Sequence, residues 1–107
     1  MKELTCAELA QLEPDSYLLI DIRNPDVIAC GAIPGSTPIP EQEIYDNLTQ
    51  YAKAFAPEKT MILYCQKGFR SGKLIRKIES QGRKCLRLSG GYLAYLEDLL
   101  DHNEQKQ

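Results

Sequence analysis

The chain has 107 residues and a net charge of −2; hydrophobic residues make up 43% of it and charged residues 26%. This length fits one domain with its own core, and the charge does not support a general nucleic-acid or membrane surface. The four cysteines are widely spaced and the single histidine lies near the end, so no zinc site is indicated. We expect one domain over residues 1–107, with a core about 4–101, a polar C-terminal tail 102–107, and neither metal nor cofactor.

The amino terminus lacks the apolar segment of a signal peptide, and no stretch is long enough to span a bilayer. As it stands, the sequence therefore predicts a cytoplasmic protein. An ordinary core without a secretion signal also favours reduced thiols over disulfides. The start at Met1 and the short polar tail after Leu100 fit a stand-alone protein, and they would also fit a domain taken from a larger protein.

The first half of the chain predicts a helix, a buried strand and a loop. Thr5 and Glu8 form the pattern of a capping box, which predicts a helix from Thr5 to about Leu12. A nearly continuous apolar run over 17–22 predicts a strand buried on both faces. A loop rich in glycine and proline follows, with a short strand at Ser36–Ile39.

The second half predicts three helices and two strands. Pro40 fits the first position of a helix whose buried face is marked by Ile44, Leu48, Tyr51 and Phe55. Residues 60–64 form the clearest strand, and 84–88 form another. The helix between them has an apolar face of Leu74, Ile75 and Ile78. The last helix has an amphipathic stripe of Tyr92, Leu93, Tyr95, Leu96, Leu99 and Leu100.

Strands and helices alternate, which predicts an α/β fold with a central parallel sheet of about five strands and helices on both faces. In such folds, ligands bind outside the carboxyl ends of the strands. Cys65, Asp21 and the Ser89–Gly91 turn all follow or end a predicted strand at that edge.

The segment after Cys65 leads into a helix N-terminus, where backbone N–H groups lack partners. Gly68 allows successive N–H groups to converge on an anion, and Lys67 and Arg70 add two positive charges. We therefore expect Cys65 to be a reactive thiolate that needs no histidine base. The alternative is a small core residue, and a thiol buried among apolar neighbours would favour that alternative.

Four segments carry a family resemblance. Cys65–Ser71 reads CQKGFRS and resembles the C-x-x-G-x-R-S active-site loop of rhodanese-type sulfurtransferases. Asp21–Pro25 is similar to the family's D-x-R-x-x segment, Gly31–Ser36 to its G-H-I-P-G-A segment, and Leu88–Gly91 to its L-x-G-G turn. The chain is thus identified as a rhodanese-like protein of the single-domain type.

The resemblance implies that Cys65 takes a sulfur atom from a donor such as thiosulfate and passes it, as a persulfide, to cyanide, a thiol or a partner protein. It also implies an anion cradle formed by Gln66, Lys67, Gly68, Phe69, Arg70 and Ser71. Asp21, Arg23, Gly90 and Gly91 match supporting positions; we favour a structural role for Asp21 and expect the glycines to allow close backbone approach. Lys67 and Arg70 favour the thiosulfate dianion over mercaptopyruvate as donor, and neither nucleic acid nor membrane is expected as a partner.

Four positions depart from the family pattern. Val27 replaces the usual glutamate, Ala32 the usual histidine, and Tyr95 an aromatic position that is often tryptophan. Cys30 stands where a small residue is usual, and it would be either a space-filling residue or a second thiol that resolves the persulfide. Cys6 and Cys85 are interpreted as core or surface residues.

Two other functions remain open. A phosphatase or arsenate reductase resembles C-x-x-x-x-x-R, with five intervening residues, whereas only four separate Cys65 from Arg70. A non-catalytic, regulatory rhodanese-like module would often lack the cysteine, which this chain retains.

Overall fold

The computed structural model describes residues 3–53, 58–67 and 71–105. Its strands are β1 (Glu3–Leu4), β2 (Tyr17–Asp21), β3 (Thr37–Pro38), β4 (Thr60–Tyr64) and β5 (Cys85–Leu88). Its α-helices are α1 (Cys6–Ala10), α2 (Pro25–Ile28), α3 (Glu41–Asp46), α4 (Leu48–Lys53), α5 (Ser71–Ser80) and α6 (Gly91–Gln105). The strands form one parallel sheet in the order β1-β5-β4-β2-β3, which confirms the predicted architecture.

The sheet register brings the ends of the two central strands level. β2 and β4 pair residue for residue from Tyr17 opposite Thr60 to Asp21 opposite Tyr64. The backbone N–H of Ile22 continues the ladder by donating to the Tyr64 carbonyl at 3.1 Å. Cys65 and the segment after Asp21 therefore leave the sheet side by side, at the edge where parallel α/β folds bind ligands.

The core has two layers because successive β4 side chains point to opposite faces of the sheet. Met61, Leu63 and Cys65 belong to one apolar cluster, which also contains α3 and α5 residues such as Ile44 and Ile75. The other cluster includes the remaining β4 core side chains and residues of α1 and α6: Ile62, Tyr64, Leu9, Tyr92 and Tyr95. The predicted placement of helices on both faces of the sheet is confirmed.

The capping box of the first helix is present as predicted. The Glu8 N–H donates to the Thr5 hydroxyl at 3.1 Å, and the Thr5 N–H donates to the Glu8 carboxylate at 3.0 Å. The helix itself ends at Ala10, two residues before the predicted end at Leu12.

The predicted helix after Pro40 is instead two short helices. Asn47 ends α3 in a non-helical conformation, with φ −126° and ψ 37°. Its side-chain amide donates to the Glu43 carbonyl at 3.0 Å, which is a local alternative to continuing the helix. Phe55, predicted on the buried face, lies outside the described residues. The two-residue β1 was also missed, because a strand this short has no readable periodicity.

The amphipathic stripe of α6 is only partly buried. Tyr92 and Tyr95 pack against the core, whereas Leu93, Leu96, Leu99 and Leu100 are 36–62% exposed. α6 has 15 residues, about 22 Å of helix, and β5 has four, about 13 Å of strand. The helix therefore extends past the sheet, and it continues to Gln105 within the predicted tail.

Across the described ranges, no helix combines the length and apolarity needed to cross a bilayer. Within the same ranges, no group of His, Cys, Asp and Glu side chains could hold a metal ion. The four cysteines all lie in the described part of the chain, and none of them forms a disulfide.

Cys85 gives a prediction about alkaline stability. The residue is fully buried on β5, and burial raises the pKa of its thiol from 9.0 to about 12. Above pH 9 the unfolded chain loses this proton while the folded chain keeps it, so stability falls as pH rises. Between about pH 8 and about pH 10, we expect Cys85 to account for a loss of about 1 kcal/mol in the free energy of unfolding.

Urea unfolding at the two pH values measures this loss. Cys85→Ala should remove that part of the decline, whereas Cys30→Ala, at an exposed cysteine, should leave it unchanged. An identical decline in Cys85→Ala and the parent protein would show that this thiol does not set the alkaline limit.

Candidate active site

Cys65 directly follows the central strand β4, as predicted, but its side chain is not accessible. The residue is 2% exposed and belongs to the apolar cluster between the sheet and α5. Strand alternation explains the placement, because residue 65 shares the inward face used by Met61 and Leu63. This burial among apolar neighbours favours the alternative of a small core residue, and the reactive thiolate at Cys65 stays a prediction.

The predicted cradle is described only in part. Gln66 is half-buried, Lys67 is exposed, and Ser71 is the first residue of α5. Gly68, Phe69 and Arg70 lie outside the described residues, as does the side chain of Ser71. The described residues thus give the start and the end of the loop between β4 and α5.

The N-terminus of α6 holds the backbone next to the thiol. The Tyr92 N–H donates to the Cys65 carbonyl at 2.9 Å, and the Leu93 N–H donates to the Gln66 carbonyl at 3.1 Å. These amides belong to the first turn of the helix, where N–H groups have no partner inside the helix. The end of β4 and the start of α6 are therefore fixed to each other through residues 65 and 66.

Gly91 makes this close approach possible. A Cβ atom at this position would collide with the Cys65 carbonyl oxygen and lie 2.9 Å from the carbonyl carbon and oxygen of Gln66. The residue also has φ +61°, in the left-handed region that side chains disfavour. Gly90, with φ +74°, would place a Cβ 2.6 Å from that of Ala94.

Arg23 connects three segments of the chain, which contain Asp21, Gly31 and Gln66. Its Nε and Nη2 atoms hold the Asp21 carboxylate, with the shortest contact 2.7 Å, and Nη2 also donates to the Gly31 carbonyl at 2.6 Å. Its Nη1 atom donates to Oε1 of Gln66 at 3.1 Å. Arg23 and Asp21 are both buried. The guanidinium thus ties the ends of β2 and β4 to the loop at Gly31.

The remaining surface of the guanidinium is covered by aromatic rings. Its central carbon lies 4.1 Å from the ring centre of Tyr92 and 5.7 Å from that of Tyr64. Hydrogen bonding to Asp21 raises the pKa of Arg23, so the side chain carries a permanent charge. Because these partners use four of its five N–H groups, Arg23 is poorly placed to bind a donor anion.

Tyr64 and Tyr92 belong to this arrangement, although the sequence did not single them out as site residues. The Tyr64 hydroxyl donates to the Ser36 hydroxyl at 2.9 Å and accepts from the Ile33 N–H at 3.1 Å. Burial raises the pKa of Tyr64. Their positions, one residue before Cys65 and one after Gly91, were the available signal.

The segments that Arg23 and α6 bring together all lie within a region that matches a known protein family. A profile of the rhodanese-like domain matches residues 5–98. The chain belongs to the rhodanese-like domain family. A protein of Allochromatium vinosum named sulfurtransferase is 30% identical over 98 residues, covering 89% of this chain and 88% of that protein.

Solved structures agree with the assignment. A rhodanese-like domain protein from Staphylococcus aureus is 29% identical, has a TM-score of 0.74, and is matched over 89% of this chain and 91% of its own. The reduced CoADR-RHD protein of Bacillus anthracis is 27% identical with a TM-score of 0.76. That match covers 89% of this chain and 16% of the larger chain.

The other thiols of this rhodanese-like domain lie outside the Arg23 arrangement. Cys30 is exposed just after α2, and its sulfur lies 3.7 Å from the Asp26 carbonyl oxygen. Cys6 packs against the opposite core layer from Cys65, and burial together with Asp98 raises the pKa of its thiol. Cys85 is buried in the sheet.

Proposed function

We propose that this rhodanese-like domain is a sulfurtransferase that carries a sulfane sulfur as a persulfide on Cys65. The supporting observation is the position of Cys65 at the carboxyl end of β4, with its carbonyl held by the first turn of α6 and the next residue held by Arg23. A reacting residue directly after the central strand, with its backbone held by fixed neighbours, keeps one position through the two steps of the reaction. The sulfurtransferase name of the Allochromatium vinosum relative is consistent with this role.

The proposed chemistry has two steps. In the first, the Cys65 thiolate attacks the outer sulfur of thiosulfate, a sulfur–sulfur bond forms, and sulfite leaves with the electron pair of the broken bond. In the second, an acceptor nucleophile attacks the outer sulfur of the persulfide, and the Cys65 thiolate leaves. Neither step removes a proton from carbon or oxygen, so no histidine base is required.

The burial of Cys65 restricts what can reach it. A residue that is 2% exposed admits no large donor in this conformation, so loading needs both a small donor and an opening beside the thiol. Once formed, the persulfide carries its outer sulfur about 2 Å beyond the cysteine sulfur. We therefore propose a small anion for loading and a thiol or protein thiol for unloading.

We propose thiosulfate as the donor class. Lys67 is exposed two residues after Cys65, and the sequence places Arg70 in the same loop. Two cations in the loop that follows Cys65 in the sequence would favour a dianion. Four cysteines without a disulfide are typical of a reducing compartment, which supports a cytoplasmic location.

Intact-mass measurement tests the proposal. After incubation with thiosulfate, the protein should gain one sulfur atom, and cyanide should remove it as thiocyanate. Cys65→Ser should gain none. Cys30→Ser, which removes an exposed thiol, should gain and lose the sulfur like the parent protein.

Two outcomes would contradict the proposal. Absence of an adduct with thiosulfate and with an organic persulfide would favour a non-catalytic binding module. Cys65-dependent hydrolysis of a small aryl phosphate would favour a phosphatase or arsenate reductase.

A further inference from the structure

The outward side of α5 is a surface of positive charge. Lys73, Arg76 and Lys77 are all exposed and lie three and four residues apart, which places them on one side of the helix. With Ser80 they line an open depression of about 470 Å³. We call Lys73, Arg76 and Lys77 the basic face. The opposite side of the helix supplies Leu74, Ile75 and Ile78, all fully buried.

The charges of the basic face are not neutralised within the described part of the chain. No carboxylate there forms an ion pair with any of the three cations, whereas Arg23 and Arg87 are paired with Asp21 and Glu3. The whole chain has a net charge of −2, so the basic face is a local reversal of the overall sign. Three adjacent cations that have no ion pair among the described residues attract an anionic surface at short range.

The basic face lies on the helix that follows Cys65 in the chain. α5 begins six residues after Cys65 and covers the side of the sheet to which the Cys65 side chain belongs. Lys77 is about 9 Å along the helix from Ser71, by the usual rise of the α-helix. A partner bound to the basic face would therefore lie beside the N-terminal end of α5, which is the end nearest to Cys65 in the chain.

We propose that the basic face docks an acidic surface of a protein that takes sulfur from Cys65. This proposal rests on the proposed sulfurtransferase function and names the class of its acceptor. A thiol protein with carboxylates around its cysteine complements the three cations. Nucleic acid fits less well, because its binding relies on many contacts between cations and phosphates, and the net charge of the chain is negative.

Binding is tested without sulfur chemistry, using a labelled synthetic peptide that carries four glutamates and one serine. We expect the peptide to bind at about 0.01 M ionic strength and to be largely released at about 0.15 M, because the Debye length falls from about 30 Å to about 8 Å. In NMR spectra, the backbone amide chemical shifts that change on peptide binding should change most within α5. The triple variant Lys73→Gln, Arg76→Gln, Lys77→Gln should bind about tenfold more weakly.

A charge-matched control separates the basic face from net charge. The triple variant Ala10→Glu, Gln11→Glu, Lys84→Gln lowers the net charge equally at exposed positions. Ala10 and Gln11 lie at the end of α1, whose residues pack on the other face of the sheet. This control should bind the peptide like the parent. Equal loss in both triple variants, or amide shifts away from α5, would overturn the proposal.

Sulfur transfer gives the second measurement. Persulfide-loaded protein is mixed with the same peptide carrying cysteine in place of serine, or with its glutamine counterpart. The acidic peptide should react about tenfold faster, and only its rate should fall in the variant of the basic face, while the cyanide rate stays unchanged. Equal rates for both peptides would also overturn the proposal.

Three other outcomes would each lead to a different conclusion. Failure of persulfide loading would contradict the proposed function, and the binding measurement would still decide whether the basic face takes an acidic partner. Tighter binding of a labelled single-stranded RNA, lost in the same triple variant, would assign the face to nucleic acid instead. Self-association that is lost in that variant would assign it to a second copy of the chain.

Discussion

Replacing Arg23 by methionine should lower the free energy of unfolding by about 3–5 kcal/mol. The substitution leaves the buried Asp21 carboxylate without its charge partner, in a site where neither side chain is exposed. It also removes the donors to the Gly31 carbonyl and the Gln66 side chain. A typical domain is stable by about 5–15 kcal/mol, so the loss would be a large part of the total.

Urea unfolding measures the effect, as a lower midpoint with an unchanged slope. Arg23→Lys keeps the charge but loses the planar guanidinium group. Its free energy of unfolding should therefore lie between those of Arg23→Met and the parent protein. The double variant Asp21→Asn, Arg23→Met should be more stable than Arg23→Met alone, because no unpaired buried charge remains.

An exposed ion pair provides the matched control for Arg23. Arg87 pairs with Glu3 between β5 and β1, and the two side chains are 20% and 43% exposed. Arg87→Met should therefore cost at most about 1 kcal/mol. If Arg23→Met and Arg87→Met lowered the free energy of unfolding by similar amounts, the structural role assigned to the buried pair would be contradicted.

Replacing Gly91 by alanine should be the second large effect, with a loss of about 2–5 kcal/mol in the free energy of unfolding. The new methyl group would collide with the Cys65 carbonyl oxygen and crowd the Gln66 carbonyl. The hydrogen bonds from Tyr92 and Leu93 to these two carbonyls would lengthen or break as the backbone moves away. Sulfur loading of Cys65 should also slow, since the backbone of the reacting residue shifts.

Gly82→Ala separates backbone strain from collision. Gly82 also has a positive φ, +86°, but a Cβ there has nothing within 4 Å. The free energy of unfolding of Gly82→Ala should fall by only about 1–2 kcal/mol, and this variant should load sulfur as fast as the parent protein. Chemical denaturation and the rate of persulfide formation, followed by intact mass, measure both variants. Equal stability and equal loading in the two variants would show that contact with residues 65 and 66 is unimportant.

Several strands and helices could be predicted because their signals are local. β4 occupies the predicted residues 60–64, and the capping box of Thr5 and Glu8 is present. Where local signals compete, the prediction was less accurate: Asn47 ends α3 within what apolar spacing alone predicts to be one helix. The exposure of Leu99 and Leu100 depends on how far the neighbouring strands extend, which helical periodicity does not contain.

By itself, the sequence determined the longer strands and helices, the nucleophile candidate at Cys65 and the cationic residues after it, because residue type and spacing act over a few positions. Only the tertiary structure decided which distant groups meet. It showed that Arg23 is occupied by Asp21, Gly31 and Gln66, and that α6 fixes the Cys65 backbone. It also buried the thiol, because strand alternation turns residue 65 toward the helices that cover that face of the sheet.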